Sequence, residues 1–134
     1  MQLERPKILR YRSQSMRFLE DAIAQARNGR WSRVEDLMWG SLTLAVKGVA
    51  LSRGLELDGD EAVREYAAQL GGELRDRRIR EAFGRIADFT QTAQRVRRSR
   101  YGADRTAAML EDVAAAIRRL WDLAPADEAE AEGP

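Results

Sequence analysis

The sequence predicts an all-α fold, an antiparallel up-and-down bundle of four to five helices. Proline occurs only at positions 6, 125 and 134, so the interior of the 134-residue chain lacks the residue that most strongly breaks helices. Apolar residues recur at spacings of three and four, the period of an amphipathic helix. Short connecting segments make consecutive helices antiparallel neighbours. The length and the 44% of hydrophobic residues fit one domain, residues 1–124, followed by a disordered acidic tail, residues 125–134.

The first and the last helix have recognisable ends. The first is predicted to begin at Pro6, which suits a first-turn position, or alternatively at Ser13, and to end at Gly29. The last helix is predicted to begin at Asp104, a good cap, and to stop before Pro125.

The second helix is apolar around most of its circumference. Ser32 and Glu35 have the spacing of a capping box, and Gly54 marks the end. One apolar surface consists of Val34, Leu37, Met38, Leu44, Ala45, Val49 and Leu51. A second apolar surface consists of Trp39, Leu42, Val46 and Ala50. Between the two surfaces lies a thin polar strip that consists of Gly40, Thr43 and Lys47. Such a helix needs neighbours on both sides, so it lies at the bundle centre or uses its second surface as a homodimer interface.

The third and fourth helices are predicted to meet at a glycine pair. The third follows Asp58 or Asp60 as its cap and ends at Gly71-Gly72. The fourth is long, from about Glu73 to Arg98, with a regular apolar stripe and arginines on its other sides. Residues 99–102 are predicted to interrupt the helix and so to separate the fourth helix from the fifth.

The composition argues against catalysis. The chain contains no histidine and no cysteine, which removes the usual general base, the common soft-metal ligands and every thiol nucleophile. Neighbouring carboxylates such as Glu20-Asp21 point in different directions on a helix and cannot share a substrate atom. No glycine-rich phosphate loop is present. We therefore predict no catalytic residue, cofactor or metal and, since no apolar run is long enough to cross a bilayer, a soluble cytoplasmic protein.

Positive charge is concentrated in one region, although the net charge is only +1. Residues 73–100 hold nine arginines against four acids, and residues 125–134 hold four acids and no base. The predicted nucleic-acid-binding residues are Arg95, Arg97, Arg98, Arg100 and Tyr101. The guanidinium groups of the arginines suit phosphates, and the phenol ring of the tyrosine can stack on a base. The alternative is a solvated helix end whose cations face the negative pole of the helix dipole.

A second basic group lies at the other end of the same helix. It consists of Arg75, Arg77, Arg78 and Arg80, interleaved with Asp76 and Glu81. Acids at this spacing suggest mutual pairing, which weakens attraction for phosphate.

The segment from Glu20 to Gly54 resembles the HEPN superfamily of small helical bundles, in particular its archaeal PaREP branch. The residues that carry the resemblance are Gly29 and Trp31 in the turn, Ala45-Val46-Lys47 and Ala50 in the following helix, and Gly54 at its end. The run Arg98 to Gly102 also resembles the hinge between the last two helices of such domains. The resemblance covers about residues 13–124 and implies an antiparallel bundle that forms a homodimer.

Many members of that superfamily are metal-independent ribonucleases of toxin systems, with an arginine followed a few residues later by a histidine. If Arg95 is the motif arginine, the histidine position falls on Arg100, Tyr101 or Gly102, so no imidazole can accept the ribose proton. We therefore expect a non-catalytic, dimeric module that binds RNA or a protein. The alternatives are a degenerate endoribonuclease that uses Arg97, Arg98 and Tyr101, or an accessory subunit of a nucleotidyltransferase pair.

Overall fold

The computed structural model describes residues 5–95 and 100–124, with side chains described up to residue 88 and again from residue 107. It contains five α-helices, and a turn of 3-10 helix, Trp31–Arg33, precedes the second of them. The helices are α1 (Arg5–Arg27), α2 (Val34–Ser52), α3 (Gly59–Leu74), α4 (Arg77–Arg95) and α5 (Arg100–Leu123). No strand occurs in these residues, so the all-α prediction is confirmed. The predicted acidic tail, residues 125–134, lies outside them.

Helix α2 lies at the centre of the bundle, in contact with each of the other four α-helices. Leu42, Val46 and Ala50 are 0% exposed within a single chain. Trp39 is half-buried and meets the ring of Phe83 on α4 edge-on, with centroids 4.8 Å apart and planes at 61°. The second apolar surface of α2 is thus covered by the chain's own helices. This is the first of the two arrangements that the sequence left open, and it leaves Leu42, Val46 and Ala50 no free surface for a second copy.

Two serines and a tryptophan form a polar cluster inside the core. The hydroxyl of Ser15 donates to the backbone carbonyl of Ser41 at 2.8 Å, and the hydroxyl of Ser41 donates to the carbonyl of Ser15 at 2.7 Å. Trp121 Nε1 donates to Ser15 Oγ at 3.0 Å. The Trp121 ring lies directly on Gly48, where an added Cβ would be 2.5 Å from ring carbons. These hydrogen bonds satisfy buried polar groups while they join α1, α2 and α5.

The predicted boundary between the third and fourth helices is wrong. Helix α3 continues through the glycine pair to Leu74 and ends at Arg75, which has the left-handed φ of 53°. Gly71 lies against the backbone of Arg80, where a Cβ would be 2.5 Å from the amide nitrogen. Helix α4 begins after Asp76, whose Oδ1 accepts the amide of Ile79 at 3.1 Å. The glycine therefore permits a close helix approach instead of ending a helix.

Two other predicted helix starts are also corrected. Ser32 belongs to the 3-10 turn, and Arg33, the N-cap of α2, makes no side-chain capping hydrogen bond, so the predicted capping box does not form. Helix α5 begins at Arg100 and not at Asp104, so residues 100–102 of the predicted break are helical. Asp58 does occupy the N-cap position of α3, although without a side-chain capping bond.

Candidate functional site

The α4–α5 hairpin extends away from the centre of the bundle. Helices α2 and α4 are antiparallel. Trp39, near the start of α2, contacts Phe83 on α4, whereas Arg53, just after the end of α2, lies 3.9 Å from Glu73 in the last turn of α3, close to the start of α4. In the direction of the α4 C-terminus, α4 has twelve residues after Phe83, whereas α2 has only the five residues that precede Trp39. At 1.5 Å per residue, α4 runs about 10 Å farther past that contact than α2 does. The end of α4 and the start of α5 lie at this far end, and we call residues 89–106 of the sequence the hairpin tip, of which 96–99 lie outside the described residues.

A layer of ion pairs joins α4 to α5 below the tip. Asp112 of α5 forms ion pairs with two arginines of α4: its Oδ2 lies 3.1 Å from Arg85 Nη1, and its Oδ1 lies 3.4 Å from Arg78 Nε. Nearer the start of α4, Asp76 lies 3.9 Å from Arg119 Nε. These pairs confirm that α4 and α5 run antiparallel.

Glu81 lies close to three arginines of α4, one of which, Arg85, also pairs with Asp112. Its carboxylate lies 3.3 Å from Arg77 Nε, 3.8 Å from Arg80 Nη2 and 3.3 Å from Arg85 Nη2. The hydrogen bond from Arg77 is the largest influence on the pKa of Glu81, and together with the nearby guanidinium charges it holds that pKa below the ordinary 4.5. The predicted mutual pairing of this second basic group is thus confirmed for Arg77 and Arg80, and Arg78 pairs across the hairpin instead.

Charge therefore divides along the hairpin. Residues 73–88 contain five arginines and four acids, and the ion pairs above connect most of these to one another or to α5. Residues 89–106 contain five arginines and one acid, Asp104. Net positive charge of the hairpin is accordingly concentrated at its tip, the region that the sequence singled out.

Three of the five predicted nucleic-acid-binding residues lie at described helix ends. The backbone places Arg95 at the last residue of α4, and Arg100 and Tyr101 at the first two residues of α5. Arg97 and Arg98 lie outside the described residues, and the side chains of the other three lie outside them as well. Arg95 and Arg100 thus stand at the neighbouring ends of two consecutive helices, with four residues of sequence between them.

Sequence reasoning missed two features of possible functional importance. One is Asp112, whose pairing with two arginines of α4 depends on the hairpin and has no local signal. The other is a cleft between α1, α2 and the α2–α3 loop that contains both lysines of the chain, Lys7 and Lys47. The sequence contains no local signal for this cleft, because its lining comes from residues far apart in the chain.

Neither a metal site nor a membrane span is found in the described part of the chain. Residues 5–95 and 100–124 include no group of three or more histidine, cysteine, aspartate or glutamate side chains placed to hold a metal ion. No helix in the same ranges has the length and apolar character needed to cross a bilayer. Comparison of the chain with models of known protein families, with curated proteins and with solved structures finds no match.

Proposed function

We propose that this chain is a non-catalytic, HEPN-like helical bundle that binds single-stranded RNA through the tip of its α4–α5 hairpin. The observation that carries the proposal is the division of charge along the hairpin. Arginines of the first half of α4 are occupied by Glu81 and Asp112, whereas the tip holds five arginines against one acid. Arginine binds phosphate in a planar, bidentate manner, and an aromatic ring beside it offers a surface for a base.

The absence of histidine supports binding without cleavage. Metal-independent cleavage of RNA through the ribose 2′-hydroxyl needs a group that accepts its proton near neutral pH, and the chain has neither an imidazole nor a thiol for this task. The arginines around Glu81 lower the pKa of that carboxyl, which makes it a weaker base.

Two matched variants test the site. In the tip variant Arg95, Arg97 and Arg98 are each changed to glutamine, and in the control variant Arg77, Arg78 and Arg80 are changed in the same way. Both remove three charges, so a general electrostatic attraction predicts equal losses. Our proposal predicts a large loss of affinity in the tip variant and a small one in the control.

The salt dependence gives a second reading of the same experiment. Each phosphate that the protein no longer neutralises lowers the slope of log affinity against log salt by about 0.7 for a single strand, so the slope of the tip variant is expected to be smaller by about 2. Equal slopes and equal affinities in the two variants would contradict a site at the tip. Thermal unfolding followed by circular dichroism checks that both variants remain folded.

The homodimer is a separate part of the proposal. Of its four predicted interface residues, Trp39 alone keeps exposed surface, because Leu42, Val46 and Ala50 are buried in one chain. Light scattering over a range of concentrations measures the mass directly. A mass of twice 15.2 kDa supports the dimer, and the mass of a single chain at all concentrations removes it.

A further inference from the structure

The cleft at the opposite end of the bundle from the hairpin tip contains both lysines of the chain. Its volume is about 120 Å³, and its lining combines side chains of α1, α2 and the α2–α3 loop, namely Lys7, Tyr11, Lys47, Leu51, Leu55, Glu56, Leu57 and Asp58. Lys7 and Tyr11 are one helical turn apart on α1, as are Lys47 and Leu51 on α2. The spacing of four residues therefore aims all four into the same space.

One of the two lysines is already neutralised. Lys7 Nζ donates to Glu56 Oε1 at 3.0 Å and lies 5.8 Å from the centroid of the Tyr11 ring. The hydrogen bond to Glu56 is the main cause that raises the pKa of Lys7, and the same bond lowers the pKa of Glu56. This pair joins the first turns of α1 to the α2–α3 loop at one side of the cleft.

The other lysine has no such partner. Lys47 is half-buried, and no residue of the described ranges forms a hydrogen bond or an ion pair with it. It comes from the polar strip of the otherwise apolar helix α2. An ammonium group that is partly removed from water is stabilised when an anion binds to it.

Three leucines form the apolar part of the lining, beside the carboxylate of Asp58. Leu51 is buried, Leu57 packs against the core, and Leu55 is 49% exposed, the one large hydrophobic side chain that the described part of the chain leaves in solvent. Small-molecule sites commonly combine such apolar walls with a few polar groups that fix the orientation of the ligand.

We propose that this cleft binds a small monocarboxylate with a short apolar body, the carboxylate on Lys47 and the apolar part against Leu51, Leu55 and Leu57. The lining holds two cations and two anions, and Lys7 and Glu56 cancel each other. With Asp58 also present, a doubly charged phosphate is repelled more strongly than a single carboxylate. The volume of about 120 Å³ is close to the roughly 150 Å³ of an engineered cavity that binds benzene, which leaves room for a carboxylate with a short branched chain.

The two lysines permit a selective experiment on the full chain. Lysine labelled with ¹³C at Cε gives two sets of signals, and Lys7→Arg identifies which belongs to Lys47. Isobutyrate is then titrated against isobutyramide, a neutral molecule of the same shape, and against inorganic phosphate and chloride. We expect the Lys47 signal to move and saturate with isobutyrate, and to move far less with the other three.

Two variants complete the test. In Lys47→Gln the backbone amide signals of Leu55 and Leu57 are expected to stop responding to isobutyrate, while Arg53→Gln, which removes a nearby cation outside the cleft lining, is expected to leave the response unchanged. An equal response to isobutyramide or chloride, or none to isobutyrate, overturns the proposal.

The chain's own acidic tail is a second source of carboxylates. If Asp127→Asn, Glu128→Gln, Glu130→Gln and Glu132→Gln together shift the Lys47 signal without added ligand, the tail occupies the cleft, and the proposal of a small-molecule ligand is overturned.

Discussion

A methyl group added at Gly48 tests the packing that fixes α5 on the bundle. In Gly48→Ala the new Cβ would lie 2.5 Å from Cη2 and Cζ3 of Trp121, a contact that real Cβ atoms do not tolerate. The ring is 4% exposed and its Nε1 is bonded to Ser15, so it has little room to move. The substitution must therefore displace α5 or turn the ring out of its hydrogen bond.

Three contributions determine the expected change in the free energy of unfolding. Overpacking a core costs about 1–3 kcal/mol. Loss of the hydrogen bond between Trp121 and Ser15 costs about 1 kcal/mol more, and alanine returns about 1 kcal/mol through its better helix propensity. The expected net effect is a free energy of unfolding lower by about 2 kcal/mol, which corresponds to a urea midpoint lower by about 1 M.

Urea unfolding followed by tryptophan fluorescence measures this difference. The matched control is Gly84→Ala on α4, where an added Cβ meets no atom within 4 Å. That variant is expected to be as stable as the parent chain or more stable, by up to about 1 kcal/mol. A Gly48→Ala chain as stable as the parent would refute the close contact between α2 and Trp121.

Three further predictions concern the core and the hairpin. Ser15→Ala is expected to lower the free energy of unfolding by about 1–3 kcal/mol in urea titrations, because it leaves Trp121 Nε1 buried without an acceptor; no loss would contradict that account. Leu42→Ala is expected to lower the free energy of unfolding by about 2–5 kcal/mol, because Leu42 is buried within one chain. For the same reason the urea midpoint should not depend on protein concentration, and a midpoint that does would indicate that Leu42 lies in a dimer interface. Since the folded pKa of Glu81 is held below 4.5 by Arg77, its contribution to stability is present above pH 4.5 and is lost as the pH falls through the folded pKa. The difference in urea midpoint between the parent and Glu81→Gln should therefore narrow in acid, and a difference that is independent of pH would contradict this.

The helices themselves could be predicted from the sequence because their signals are local. Proline at the chain ends and apolar residues at helical spacing are enough to predict an all-α bundle, and the predicted end of the first helix lies within two residues of the observed one. The burial of α2 also follows from its composition, since a helix without a polar face must be covered on all sides.

The errors arose where one residue type has two uses. Gly71 has the sequence signal of a helix end, yet it lies inside α3. A glycine is needed there because the backbone of Arg80 comes too close for any side chain. Only the packing of α3 on α4 distinguishes the two uses. In the same way Ser32 and Glu35 have the spacing of a capping box, but the 3-10 turn before α2 places Ser32 outside the cap position.

The candidate sites divide along the same line. Clustered arginines are visible in the sequence, and so is the alternation of arginine with acid that predicts pairing within α4. The pairing of Asp112 with Arg78 and Arg85 depends on how α4 and α5 pack against each other. The presence of Lys7 and Lys47 in one cleft depends on how α1 and α2 pack. Contacts between residues far apart in the chain have no periodic signature.

The central claim, that the chain holds RNA without cleaving it, is tested most directly by one measurement. Homogeneous protein is incubated with end-labelled single-stranded RNA at several salt concentrations, and the bound fraction and the length of the RNA are read from the same samples. Our account predicts bound RNA of unchanged length, with binding that falls as salt rises. Shortened RNA whose formation stops in the Tyr101→Phe variant, or binding that salt does not affect, would contradict it.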